Sequence, residues 1–252
     1  MYDFQKADMW KRLSAWLFDF IIIGIVMVGI MWGLSVAFKY DVQLEQYNAA
    51  YEEYKTEFGR DTSMSQEEYA ALSPEDSLKY QQIRSKMWFY HETSFNLSLL
   101  IPSLAIILAY FIMEFVIPLF IGNGQTLGKK IFGIGVMRAD GVRITPFMLF
   151  VRSMLGKCTI ETLVPVAIVV MIVFRVTGIV GLAVLAALLL SQIVLVVATK
   201  ARTPIHDMFA QTVTVDMASQ MIFDTPEELL VYKQKIHAEM VSDMKETYNA
   251  NN

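Results

Sequence analysis

Long apolar runs separated by charged stretches dominate the chain, and they predict helices first. Leu13 to Phe38 is the first run; its 26 residues would make a helix of about 39 Å, against a hydrocarbon core of about 30 Å. Asp19 is its one charged residue before the end. The run is too long for a secretory signal, and no small-residue cleavage site follows it. Phe95 to Ile121 is the second run, interrupted only by Glu114. The third begins less cleanly. Pro146 to Cys158 carries Arg152 and Lys157 and reads as an amphipathic, interfacial entry. Leu163 to Phe174 is apolar throughout but too short alone, which moves the start of the span back toward Thr159. Thr177 to Thr199 is the fourth run and has no charge. The pattern predicts an all-α membrane protein with four transmembrane helices.

Between the first two spans the period stays helical while the composition turns polar. Leu44, Tyr47, Tyr51, Tyr54 and Phe58 recur at three- and four-residue spacing, and Gly59 ends them. Ser65 ahead of Gln66, Glu67 and Glu68 is a capping candidate, and Ser73-Pro74-Glu75-Asp76 is a helix start. Residues 39–94 are expected to form a helical hairpin that prolongs the first two spans. Its tyrosines read first as packing within that hairpin, with a ligand box as the second reading.

Residues 122–145 break the helical period at Gly122, Gly124, Gly128, Gly133 and Gly135. Val136-Met137-Arg138, Asp140-Gly141 and Val142 to Thr145 predict a short β-hairpin. Thr212 to Val215 is β-branched enough to add a strand. Thr225-Pro226-Glu227-Glu228 starts a helical, acidic tail. The expected segments are 1–38, 39–94, 95–121, 122–145, 146–199, 200–216 and 217–252.

Charge sets the expected orientation. Lys6, Lys11 and Arg12 lie before the first span. Six Lys or Arg lie in 122–157 against the single acid Asp140, and Lys200 and Arg202 follow the fourth span. Residues 39–94 hold six basic and eleven acidic residues. The positive-inside rule then puts both termini and the Gly-rich segment in the cytoplasm of a cell membrane, with 39–94 outside. The net charge of −4 divides into −5 for residues 39–94, −4 for 216–252 and +5 for the rest. It leaves no basic footprint for a nucleic acid. Cys158 is alone, so no intramolecular disulfide forms.

Most chemical motifs fail on spacing. Gly124 to Lys130 is no phosphate loop: its glycines are four apart and Lys129 is followed by Lys130. His91, His206 and His237 fall in separate segments, which argues against a metal site. No nucleophile has a supporting context, so neither enzyme activity nor a cofactor is expected. Gly29 and Gly33 match a weak helix-packing motif. The intramembrane acids say more, because each costs roughly 2.5–3.5 kcal/mol at a helix centre on insertion scales. Asp19 lies seven residues after Arg12, and Glu114 lies seven before Ile121. With the two helices antiparallel, both sit about 10 Å in from the same boundary. Pro118 also frees the carbonyl of Glu114 to accept from another donor. The two acids could share a proton or a small cation. The plainer reading pairs Asp19 with a basic residue and leaves Glu114 protonated or reaching the interface. Arg12 and Asp19 share a helix face but stand too far apart to bond, and His206-Asp207 could supply a partner for Arg12.

Three stretches together resemble the RDD family of bacterial membrane proteins. They are Lys11-Arg12 through Asp19, Gly124-Gln125-Thr126-Leu127-Gly128-Lys129-Lys130 with its continuation to Gly141, and Thr203 through Val213 around His206-Asp207. Gln211 stands where the family usually has Gly. The family name records one Arg and two Asp, carried onto Arg12, Asp19 and Asp207. The resemblance implies transport, with cation/proton exchange proposed for some members. On that reading Asp19 and Glu114 form the ion or proton site, and Arg12 with Asp207 an ion pair or gate. Gly124, Gln125, Thr126, Gly128 and Lys129 are then the cytoplasmic family motif. The partners are lipid, a small cation and a proton, and four spans would need a homodimer to enclose a path. The alternative is a non-transporting scaffold that recruits partners through 39–94 and the acidic tail.

Overall fold

The computed structural model describes residues 7–60, 63–158, 162–176, 178–198 and 211–250. It is mostly helical. Helix α1 (Met9–Ala37) is followed by α2 (Tyr40–Phe58), α3 (Gln66–Ala70) and α4 (Pro74–Phe111). A π turn at Ile112–Val116 leads from α4 into α5 (Ile117–Ile121). Then come α6 (Leu127–Ile131), β1 (Ile134–Arg138), α7 (Pro146–Phe150) and a second π segment, Val151–Cys158. Helices α8 (Leu163–Val173) and α9 (Ile179–Ala198), strand β2 (Thr212–Asp216) and helix α10 (Pro226–Ala250) complete the order. Among the described residues, Met9–Ala37 and the run Pro74–Ile121 are long and apolar enough to cross a membrane. The third expected span appears as the 11-residue α8, and its expected start at Thr159 lies outside the described residues. The fourth apolar run forms the 20-residue α9.

The chain divides into two compact units. The first holds residues 1–25, 109–162 and 192–252, and the second holds 26–108 and 163–191.

In the second unit the local signals place the helix ends as expected. Lys39 adopts φ 52° between α1 and α2. Gly59 at φ 65° closes α2, donating its N–H to the Lys55 carbonyl, a conformation that costs a residue without Cβ little. Ser65 and Glu68 form a reciprocal capping box at α3. The Ser73 hydroxyl accepts from the Asp76 N–H at 3.1 Å, and Pro74 opens α4. Tyr54, Tyr80 and Ile83 are buried together, with Phe58, Met64, Tyr69, Leu72 and Met87 against them. The Tyr80 ring lies 5.4–6.0 Å from those of Tyr54, Phe58 and Tyr69. These tyrosines are the hairpin's core.

Arg60 clasps Glu68 through two bonds, at 2.8 and 2.9 Å. With the Ser65 N–H, that contact holds the Glu68 carboxyl down at about 2 from an ordinary 4.5. A depressed carboxylate stabilises the fold above its unfolded value and loses that contribution as pH falls toward the folded one. A carboxyl NMR titration is therefore expected to place the Glu68 midpoint at about 2 in the native protein and to return it toward 4.5 in Arg60→Gln. An unmoved midpoint would remove Arg60 as its main cause.

In the first unit a single pair of strands replaces the expected hairpin. β1 runs antiparallel to β2, from Ile134 opposite Asp216 to Arg138 opposite Thr212. The turn at 138–142 does close, with the Arg138 N–H on the Val142 carbonyl and the Gly141 N–H on the Arg138 carbonyl. The backbone then leaves: the Arg143 N–H donates to the Phe223 carbonyl, and Thr145 caps α7. Residues 142–143 keep only isolated bridges. The β-hairpin expectation is corrected accordingly. β1 is buried along nearly its whole length and needs a five-residue partner, which the chain beyond Val142 is too short to supply and Thr212–Asp216 provides.

Candidate functional site

Asp19 sits in the middle of α1 with 4% of its surface exposed. An apolar helix gives a carboxylate nothing to bond, so its partners come from elsewhere in the chain. Thr126 donates its hydroxyl to Oδ2 at 2.5 Å, and Gly128 donates its backbone N–H to Oδ1 at 2.7 Å. Both residues belong to the Gly-rich stretch the sequence singled out.

Local backbone geometry delivers these donors. Gly122, Asn123 and Gly124 take φ of 86°, 49° and 57°, a run of left-handed residues that reverses the chain before α6. Gln125 fixes the bend from the side, donating its Nε2 to the Ile134 carbonyl at 2.8 Å. Thr126 is the N-cap of α6, its oxygen accepting from the Lys129 N–H at 3.4 Å. The first amides of a helix lack intrahelical acceptors and carry positive dipole charge. Asp19 supplies an acceptor for one of them, so a carboxylate of α1 acts as a cap for α6. Gly128 makes the approach possible. A Cβ there would stand 2.3 Å from the Ala15 carbonyl oxygen and 2.9 Å from Asp19 Cγ. Lys129 is half-buried beside it.

The start of α1 is tied to β2. Arg12 donates Nη2 to the Thr214 carbonyl at 2.8 Å, and Lys11 pairs with Asp216 at 2.6 Å. Lys11, with the Ala218 N–H, holds the Asp216 carboxyl below its usual range. Among the described residues the Arg12 Nε is buried without a hydrogen-bond partner. Asp207 and His206 lie outside the described residues.

Glu114, also 4% exposed, occupies the π turn. There the Ile117 N–H reaches back five residues to the Ile112 carbonyl. Pro118 has no N–H for the Glu114 carbonyl, and the Ser153 hydroxyl donates to it at 2.7 Å, shared with the Leu149 carbonyl. The freed carbonyl thus has the outside donor that Pro118 implied. Ser153→Ala is expected to cost about 1–2 kcal/mol, seen as a lower melting temperature. Pro118→Ala, which restores the helical donor, should shrink that cost in a double-mutant cycle. Equal costs in both backgrounds would unlink Pro118 from Ser153.

Both acids are buried in the first unit. Sequence reasoning did not single out Arg152 as a site residue; it is 7% exposed, with Nη1 on the Thr212 hydroxyl at 3.3 Å and Nη2 on that of Thr214 at 3.4 Å. The available signal was the alternation of Thr212 and Thr214, which lines one face of a strand with hydroxyls. Among the described residues no group of His, Cys, Asp and Glu is placed to hold a metal ion.

A family model described as the RDD family matches residues 6–211. No curated protein and no solved structure matches the chain.

Proposed function

Because the chain belongs to the RDD family, we propose that it is a small membrane transporter that exchanges a monovalent cation for a proton. The observation that carries this reading is the buried carboxylate of Asp19 with both oxygens engaged by the family motif. Exchange needs a carboxylate that a proton and a cation occupy in turn, and a structural element that responds to which one is present. Asp19 meets the first requirement. The Thr126 hydroxyl meets the second: it donates to one carboxyl oxygen here, and it can rotate to offer a lone pair to a cation or to a protonated acid. Occupancy at Asp19 thereby alters the hold on residues 122–131. Glu114 is the second carboxylate, set in a π turn of the kind common at functional sites. Arg12 and Asp207 form the gate pair, Lys and Arg place both termini in the cytoplasm, and a homodimer encloses the path. No enzymatic step is assigned.

Purified protein in proteoliposomes is expected to change internal pH when a Na⁺ or K⁺ gradient is imposed. Combined Asp19→Asn and Glu114→Gln should abolish that change. No flux with any monovalent cation, or full flux in the double variant, overturns the reading.

A second reading is a scaffold without transport. The separate aromatic core of the 39–94 hairpin and the 25-residue α10 with exposed Leu230, Val231 and Met240 favour it. On this reading, deleting residues 39–94 abolishes function while the apolar helices still insert. Retained cation-driven pH change after the deletion favours exchange.

A further inference from the structure

Two open clefts in the second unit share Tyr80 and Arg84. Their volumes are about 460 and 240 Å³. Eleven of the 56 residues in 39–94 are acidic, yet none of the fourteen residues lining the clefts is. Neighbouring cations are matched to carboxylates: Arg60 to Glu68, Lys79 to Glu57 and Lys86 to Glu53. Arg84 is different. Its Nη1 donates to the Tyr80 hydroxyl at 2.6 Å, and its guanidinium carbon lies 5.7 Å from the Tyr80 ring centre. Among the described residues no carboxylate takes its Nε and Nη2, the edge that grips a carboxylate through two parallel bonds.

The smaller cleft adds flat aromatic walls. Tyr47 and His91 lie 5.5 Å apart between ring centres, and Trp88 and His91 are stacked at 6.3 Å. Such rings accept another ring face to face or edge-on. An aromatic box by itself also suits an organic cation, but the Arg84 charge opposes one. We propose that this cleft binds a small aromatic carboxylate, its acid on Arg84 and its ring against Trp88 and His91. The proposal is independent of the exchange reading, since none of these residues takes part in the Asp19 or Glu114 contacts.

Calorimetry on the full chain in nanodiscs tests it, with indole-3-acetate as the probe. Saturable binding is expected. Indole-3-acetamide, which keeps the ring and loses the charge, should bind at least about tenfold more weakly, as should indole-3-acetate to Arg84→Gln. Arg84→Lys, which keeps the charge without the two-point geometry, should fall between. The amide comparison uses native protein, so it stands even if Arg84→Gln does not fold. No saturable binding at millimolar probe, or equal affinity for the amide or for tryptamine, overturns the proposal.

Discussion

Gly128→Ala is expected to lower the stability of the folded protein by about 3 kcal/mol or more. The new methyl group would lie 2.3 Å from the Ala15 carbonyl oxygen, far inside contact distance. That obstacle is backbone two turns into α1, which cannot swing aside as a side chain can. Relief requires α6 to move off α1, and that movement lengthens the bond from the Gly128 N–H to Asp19. Overpacking alone costs about 1–3 kcal/mol, and a hydrogen bond to a charged group is worth about 1.5–3 kcal/mol. For a chain of this size the sum corresponds to a melting temperature lower by on the order of 6–12 °C or more, measurable by thermal unfolding in detergent. Gly24, whose Cβ would meet nothing within 4 Å, is the control: alanine there should leave the melting temperature unchanged or slightly raised. Similar losses at both positions would mean that the close approach at Gly128 is not what matters.

Asp19 separates structure from charge through two substitutions. Asp19→Ala leaves the Thr126 hydroxyl and the Gly128 N–H without their acceptor in a buried site. Two such orphaned groups cost about 1–3 kcal/mol each, so the variant should be among the least stable. Asp19→Asn should be milder, at about 1 kcal/mol. Its carbonyl oxygen can still accept from Gly128, and its amide can donate to a Thr126 hydroxyl turned to accept. The asparagine variant therefore keeps the latch and removes the titratable charge. Thermal unfolding of the pair reads the difference directly. If both variants were equally destabilised, the ionised carboxylate and not its hydrogen-bonding shape would be what holds α6.

What the sequence made legible was local. Gly59, the Ser65–Glu68 capping box and the Ser73-Pro74 start each act within four residues, and each places a helix end where expected. The effect of Pro118 on the Glu114 carbonyl was legible for the same reason, although the donor, Ser153, was not. The partners of Asp19 lie 107 and 109 residues away. Periodicity and spacing carry no information at that range. The resemblance marked Asp19, Thr126 and Gly128 as belonging to one family pattern without saying that they touch. The strand pairing failed by the same logic: the turn at Asp140-Gly141 is a short-range signal, whereas the pairing of β1 with β2 is decided by burial of β1 and by the early start of α7. The partners of Arg152 were beyond reach for the same reason, since Thr212 and Thr214 lie 60 and 62 residues away.

The central claim is that the Asp19 carboxylate takes up a cation or a proton in turn while the family motif holds it. Proton release on cation addition tests it most directly. Purified protein in weakly buffered detergent is titrated with NaCl or KCl against a choline chloride control, and pH is followed with an indicator. The account predicts protons released in proportion to protein by the native chain, and none by the folded double variant Asp19→Asn with Glu114→Gln. No release by the native protein with either cation, or the same release by the double variant, would contradict it.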